Sequence, residues 1–145
     1  MQRLTLSFDT DDGLDGELKA IVESKDFKGK SAAWFSIHQL KAFSELLGSY
    51  PIVPGKEPIL AGGFWKDDEL DQPHVSIRIE AAGSQGKLLV KVALATPVWG
   101  SEPSDHHSVQ AHFLVNYADL GVFQCDFSLL LDGKASEARL ETTAT

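Results

Sequence analysis

From Leu4 to Val115 apolar side chains keep returning at every second position, in runs separated mostly by links of turn size. Residues 2 to 8 set Leu4, Leu6 and Phe8 on one side of the chain and Arg3, Thr5 and Ser7 on the other, the period of a strand with one buried face. Beyond an acidic loop, Leu18, Ala20 and Val22 oppose Glu17, Lys19 and Ile21, and after Lys28-Gly29-Lys30 a third strand carries Ala33, Trp34 and Phe35. These three read as an antiparallel meander. Ile59 to Trp65 makes a short strand, Val75, Ile77 and Ile79 alternate with Ser76, Arg78 and Glu80, and a turn from Ala82 to Lys87 leads into Leu88 to Thr96. Val109, Ala111, Phe113 and Val115 mark one more. Short links select antiparallel neighbours, since a parallel pair needs a long crossover.

Two segments break the period. Ser36 stands three residues before Gln39, a capping-box pattern, and Leu40, Phe43 and Leu47 recur at helical spacing until Gly48, which predicts a helix over residues 37 to 47. A second helix is predicted from Tyr117 to Leu131, capped by Asn116 and stopped at Gly133, with Leu120, Phe123, Phe127, Leu130 and Leu131 on its core face. Val122, Cys125 and Leu129 form a second apolar stripe nearly opposite. A helix between two layers of one domain explains that stripe best; a homodimer through it, or a partner, is the alternative. Three prolines between Tyr50 and Pro58 make that stretch a connection. The chain thus reads as α+β, a mainly antiparallel sheet of about six or seven strands with two helices. The pattern does not decide between an open, sandwich-like or barrel-like sheet. No internal repeat is evident, and residues 134–145 are expected to be a partly frayed tail.

With 145 residues the chain has the length of one domain, enough to bury about two-thirds of its unfolded surface. A net charge of −8 with a pI near 5.0 argues against nucleic acid, whose phosphates demand basic side chains. The N-terminal run Met1-Gln2-Arg3-Leu4-Thr5-Leu6 lacks the apolar stretch of a signal peptide or membrane span, so a cytoplasmic location is expected. The single cysteine, Cys125, excludes an internal disulfide and agrees with a reducing compartment.

Charge is concentrated in two segments: Asp9, Asp11, Asp12, Asp15 and Glu17, then Asp67, Asp68, Glu69 and Asp71. Carboxylates so close must be solvated, hold a cation or meet a basic partner. Calcium fits poorly. Counting Asp11 as position one puts Asp15 at five and Gly16 at six, but Gly13 stands where a ligand belongs, Val22 where the bidentate Glu belongs, and strands flank the loop. In Ser104-Asp105-His106-His107-Ser108 the adjacent histidines point to opposite faces of an extended chain, so a metal would need further donors such as His74. His38 and His112 read as surface residues. Cys125, inside a helix, reads as a buried small hydrophobe rather than a nucleophile. No phosphate loop or nucleophile elbow occurs. Trp34, Trp65 and Trp99 read first as packing residues, although Trp65 and Trp99 are also the rigid anchors that interfaces use.

Several short motifs fall together in order: Ala33-Trp34-Phe35-Ser36 before a helix that ends near Tyr50-Pro51, Gly62-Gly63-Phe64-Trp65, Val75-Ser76-Ile77-Arg78-Ile79, Ala95-Thr96-Pro97-Val98-Trp99 and Leu131-Asp132-Gly133. Across residues 2 to 133 the chain resembles the immunity proteins of wall-associated polymorphic toxins, small bacterial proteins. The resemblance implies a noncatalytic module that neutralises a cognate protein toxin, without carrying over a catalytic residue or a contact surface. The residues add expectations compatible with it: no cofactor, and contacts through Asp9, Asp11, Asp12, Asp15, Asp67, Asp68, Asp71, Trp65 and Trp99. A metal- or small-ligand-binding domain is the second reading.

Overall fold

The structure is a computed structural model that describes residues 2–142. Its elements follow one another as β1 (Gln2–Asp9), β2 (Asp15–Ser24), β3 (Phe27–Ser36), α1 (Ile37–Leu47), β4 (Ile59–Lys66), β5 (Glu69–Ala81), β6 (Lys87–Ala95), β7 (Ser108–Asn116), α2 (Tyr117–Leu131) and β8 (Ala138–Glu141). They form two antiparallel four-stranded sheets, ordered β3-β2-β1-β8 and β4-β5-β6-β7. The α+β class and both helices are as the periodicity predicts. The end of the chain is not. Within the expected frayed tail, Ala138–Glu141 pair with β1, Leu140 opposite Leu4 and Ala138 opposite Leu6. Ala138 and Leu140 are fully buried, and this burial holds a strand too short to show a period of its own. Residues 143–145 of that tail lie outside the described residues.

One topology occurs twice. The units β1-β2-β3-α1-β4 and β5-β6-β7-α2-β8 share an element order, and each sheet joins three strands of one unit to the last strand of the other. The sequence hides this repeat because the likeness is confined to caps and core positions. Ser36 and Asn116 both close capping boxes, with Gln39 and Asp119 as the returning side chains. Leu40, Phe43 and Leu47 correspond at a constant offset to Leu120, Phe123 and Phe127, all buried. The caps also share a register, Asp15 opposite Ser36 and Lys87 opposite Asn116.

The sheets meet with crossed strands. Gly62, Val75, Leu94 and Val109 form one cross-strand row of the second sheet, and β3 passes over it: Gly29 abuts Val109, Ser31 Oγ donates to Ala95 O at 2.6 Å, and Phe35 packs on Gly62. A Cβ on Gly29 would overlap the Val109 Cγ1 methyl, and one on Gly62 would lie 2.6 Å from the Phe35 ring. Both glycines are therefore conditions of the close approach. The helices occupy the remaining space, α1 on β3 and β4, α2 on β1, β7 and β8. Between them the Phe43 and Phe127 rings meet edge to face at 5.8 Å, and Gln124 Nε2 donates to Ser44 O at 2.9 Å. Tyr117 OH accepts the Ile52 N–H at 3.0 Å and pins the proline-bearing connection.

The core face of α2 is as expected, but among the described residues its second stripe has no cover. Val122 and Leu129 are exposed, and so is Cys125. The expectation of a second layer over this stripe, and of a buried cysteine, is thereby corrected. Within the fold, α2 meets α1 and the sheets with its inward side only.

Candidate functional site

The carboxylates of the first acidic segment largely serve their own hairpin. Asp9 ends β1, and Asp15 and Glu17 begin β2, so the turn proper is Thr10 to Leu14. Asp12 Oδ1 accepts the Leu14 N–H at 2.9 Å and the Asp15 N–H at 3.3 Å, while Thr10 Oγ1 accepts from Gly13 N and donates to Asp15 O. These amide donors, Leu14 first, hold the Asp12 carboxyl below its usual range. Lys19 Nζ lies 3.4 Å from Asp9 and 3.9 Å from Glu17. Leu14 O accepts the Ile37 N–H at 2.8 Å and fastens the turn to the start of α1.

The second acidic segment is not one loop. Asp67 and Asp68 form a two-residue hairpin turn with φ of 52° and 65°, the signature of a type I′ turn, in which aspartate tolerates the left-handed region. Glu69 and Asp71 instead belong to β5. Pairing irregularities at Gly62/Gly63 and Phe64/Trp65, together with Pro73, conceal that strand from a periodicity reading. Pairing with β6 starts only at Val75 opposite Leu94. Residues Glu69 to His74 therefore run past the end of β6, and the β4–β5 hairpin projects by about 13 Å as a finger, the length of the four paired β4 residues Gly63 to Lys66.

A polar clamp braces this finger against the β6–β7 connection. Gln72 Oε1 accepts the Val98 N–H at 2.7 Å and Gln72 Nε2 donates to Val98 O at 3.1 Å, so the amide engages both backbone groups of one residue. With the amide oriented in this way, the 2.6 Å contact from His74 Nε2 to Gln72 Oε1 requires the imidazole to donate. His74 is 3% exposed; burial first, then His106, push its pKa down. Phe64 lies 4.5 Å from the His74 ring and 4.6 Å from the Trp99 ring, centroid to centroid. Thr96 N donates to His107 O at 2.9 Å and closes the neck of the connection. The sequence reading singles out neither Gln72 nor Phe64. Alternation does not reveal them, because the irregularities at Gly62/Gly63 and Phe64/Trp65 break the period of β5 around Gln72.

The tryptophans are surface residues. Trp34 is 60% exposed, Trp65 52% and Trp99 74%, which overturns their reading as packing residues. Asp67, Asp68, Glu69 and Asp71 on the finger and Glu102 and Asp105 in the β6–β7 connection are all exposed, and among the described residues none of the six takes part in an ion pair. Several carboxylates elsewhere are mated. Glu57 and Glu80 meet Arg78 at 3.4 and 3.0 Å, Glu80 also meets Lys91 at 2.9 Å, and Glu141 meets Arg3 at 3.3 Å. His38, His106, His107 and His112 are exposed. Among the described residues, no three His, Cys, Asp or Glu side chains are grouped as a metal site requires. The two acidic segments belong to different sheets, one tied to α1 and the other to the β6–β7 connection.

No family model matches the chain, and no curated protein or solved structure is significantly similar to it.

Proposed function

We propose that the protein is a noncatalytic protein-binding module, an immunity-type inhibitor that neutralises a cognate protein toxin. One observation carries this reading: a domain with a closed apolar core keeps all three of its tryptophans at the surface, where such rings supply desolvated anchor area to a partner. Carboxylates beside Trp65 and Trp99 add long-range steering toward a basic surface, which is what a toxin acting on a polyanion presents. The contact candidates are Trp65 and Trp99 with Asp67, Asp68 and Asp71, and, on the other sheet, Asp9, Asp11, Asp12 and Asp15. Binding of this kind needs no cofactor. No helix among the described residues is long and apolar enough to cross a membrane, and we place the inhibitor in the cytoplasm.

The test is protection. A toxin domain encoded beside this chain's gene is expressed in a host with and without the chain, and growth and complex formation are followed. Rescue of growth with a co-purifying complex is the expected result. A toxin that kills equally well in both strains, with no complex on gel filtration, refutes the reading.

A further inference from the structure

We infer that the β4–β5 finger is the docking element, and that it enters a basic, concave surface of the partner protein, with Trp65 and Trp99 as anchors on its two faces. This rests on the protein-binding reading and selects between the two acidic segments. Shape gives the first argument: the hairpin runs past β6, and beyond the sheet one of its faces is braced by the connection that carries Trp99 while Trp65 is exposed. Successive residues of a strand point to opposite faces. Phe64 lies against Trp99 and His74, so Trp65 stands on the other face, and a surface contacting both rings must wrap the finger.

The second argument is rigidity. The Gln72 amide holds Val98 at both backbone groups and His74 closes the network, so little ordering remains to oppose binding. Charge is the third. Among the described residues the four exposed carboxylates of the finger, Asp67, Asp68, Glu69 and Asp71, take part in no ion pair, whereas in the first segment Asp12 is bonded to its own turn and Asp9 and Glu17 share Lys19, which leaves Asp11 and Asp15 unpaired there. Carboxylates free of internal partners have their full field available to a cationic surface. A second copy of this chain, with its own net charge of −8, is repelled by the same field.

The test uses the intact protein labelled with ¹⁵N, whose three tryptophan side chains give three indole N–H signals. It is titrated in low salt with a synthetic decapeptide of alternating Arg and Lys, and in parallel with decaglutamate. The basic peptide is expected to move the Trp65 and Trp99 signals and leave Trp34 in place, while decaglutamate moves none. Changing Asp67, Asp68 and Asp71 together to Asn, which suits a left-handed turn and preserves the fold, should weaken the peptide by about tenfold. A response centred on Trp34 and residues 10 to 15, or unchanged affinity in the triple variant, overturns the inference. Growth rescue without a response at the finger would defeat the finger and spare the inhibitor reading. A response at the finger without rescue would do the reverse.

Discussion

Gly29 and Val109 stand at equivalent places in the two units, each seven residues before its helix cap, Ser36 or Asn116, and they touch one another where the sheets cross. Because a Cβ on Gly29 would overlap the Val109 Cγ1 methyl, Gly29→Val must force the sheets apart. Overpacking of this kind costs about 3 kcal/mol. Val109→Gly alone removes a partly buried side chain and adds backbone freedom, for a loss of about 2 kcal/mol. The exchange of both places one valine across the same gap from the opposite side. If the two units are related as the registers indicate, the double variant should lie within about 1 kcal/mol of the parent, a coupling of about 4 kcal/mol against additivity. Urea unfolding followed by tryptophan fluorescence and by circular dichroism measures all four proteins. A double variant as unstable as the sum of the two singles would show that the contact is not interchangeable, and the argument from repeated topology would fail.

Three other expectations concern the finger and the chain ends. Asp68→Gly relieves the side-chain strain of a residue at φ 65° and should stabilise the fold by about 0.5 kcal/mol, seen as a higher urea midpoint at unchanged slope; a lower midpoint contradicts the turn assignment. The folded-state pKa of His74 lies below its ordinary value of 6.5, so between the two values the unfolded chain binds the extra proton. The corresponding stability is present above 6.5 and lost as pH falls through the folded value. The protection factor of the Val98 amide, its exchange rate corrected for the intrinsic pH dependence, should therefore fall on acidification through that window, and His74→Gln should remove the fall; an equal fall in the variant places its origin elsewhere. Thr142 N donates to Gln2 O at 3.4 Å, so a circular permutant opened between Asp67 and Asp68, with a short glycine-serine link joining the original ends, should retain the parent circular dichroism spectrum and cooperative unfolding, whereas a molten spectrum would count against pairing of β8 with β1.

Much of the fold is legible because most of its strands bury one face. Leu4 and Leu6, Leu18 with Ala20 and Val22, and Ile77 with Ile79 are all fully buried, and their spacing states as much. The helix boundaries are legible for a similarly local reason, since Ser36–Gln39 and Asn116–Asp119 close capping boxes within four residues. What spacing cannot convey is pairing between distant segments. β8 exists because Ala138 and Leu140 lie opposite Leu6 and Leu4, and its four residues carry no period that separates them from a loop. The second stripe of α2 fails as a guide for a related reason: a periodicity identifies an apolar face but not what lies against it, and among the described residues Val122, Cys125 and Leu129 have no layer over them.

The site was legible in composition and illegible in grouping. Nine of the 21 acidic residues stand close together along the chain in two segments, and adjacency in sequence invites counting them as equals. Folding separates them by what each already binds. Asp12 is taken by amides of its own turn, Asp9 and Glu17 by Lys19. Glu102 and Asp105 come from a different connection, which the Gln72 amide fastens to the finger across 26 residues of sequence. A carboxylate held by internal donors has part of its field cancelled and gives up those donors if a partner is to claim it, whereas an exposed and unpaired one gives up only water. The surface offered to a cationic partner is therefore defined by hydrogen bonds and ion pairs made elsewhere in the chain, and the β4–β5 finger stands out because, among the described residues, none of its four carboxylates is held in this way, whereas in the first segment only Asp11 and Asp15 are as free.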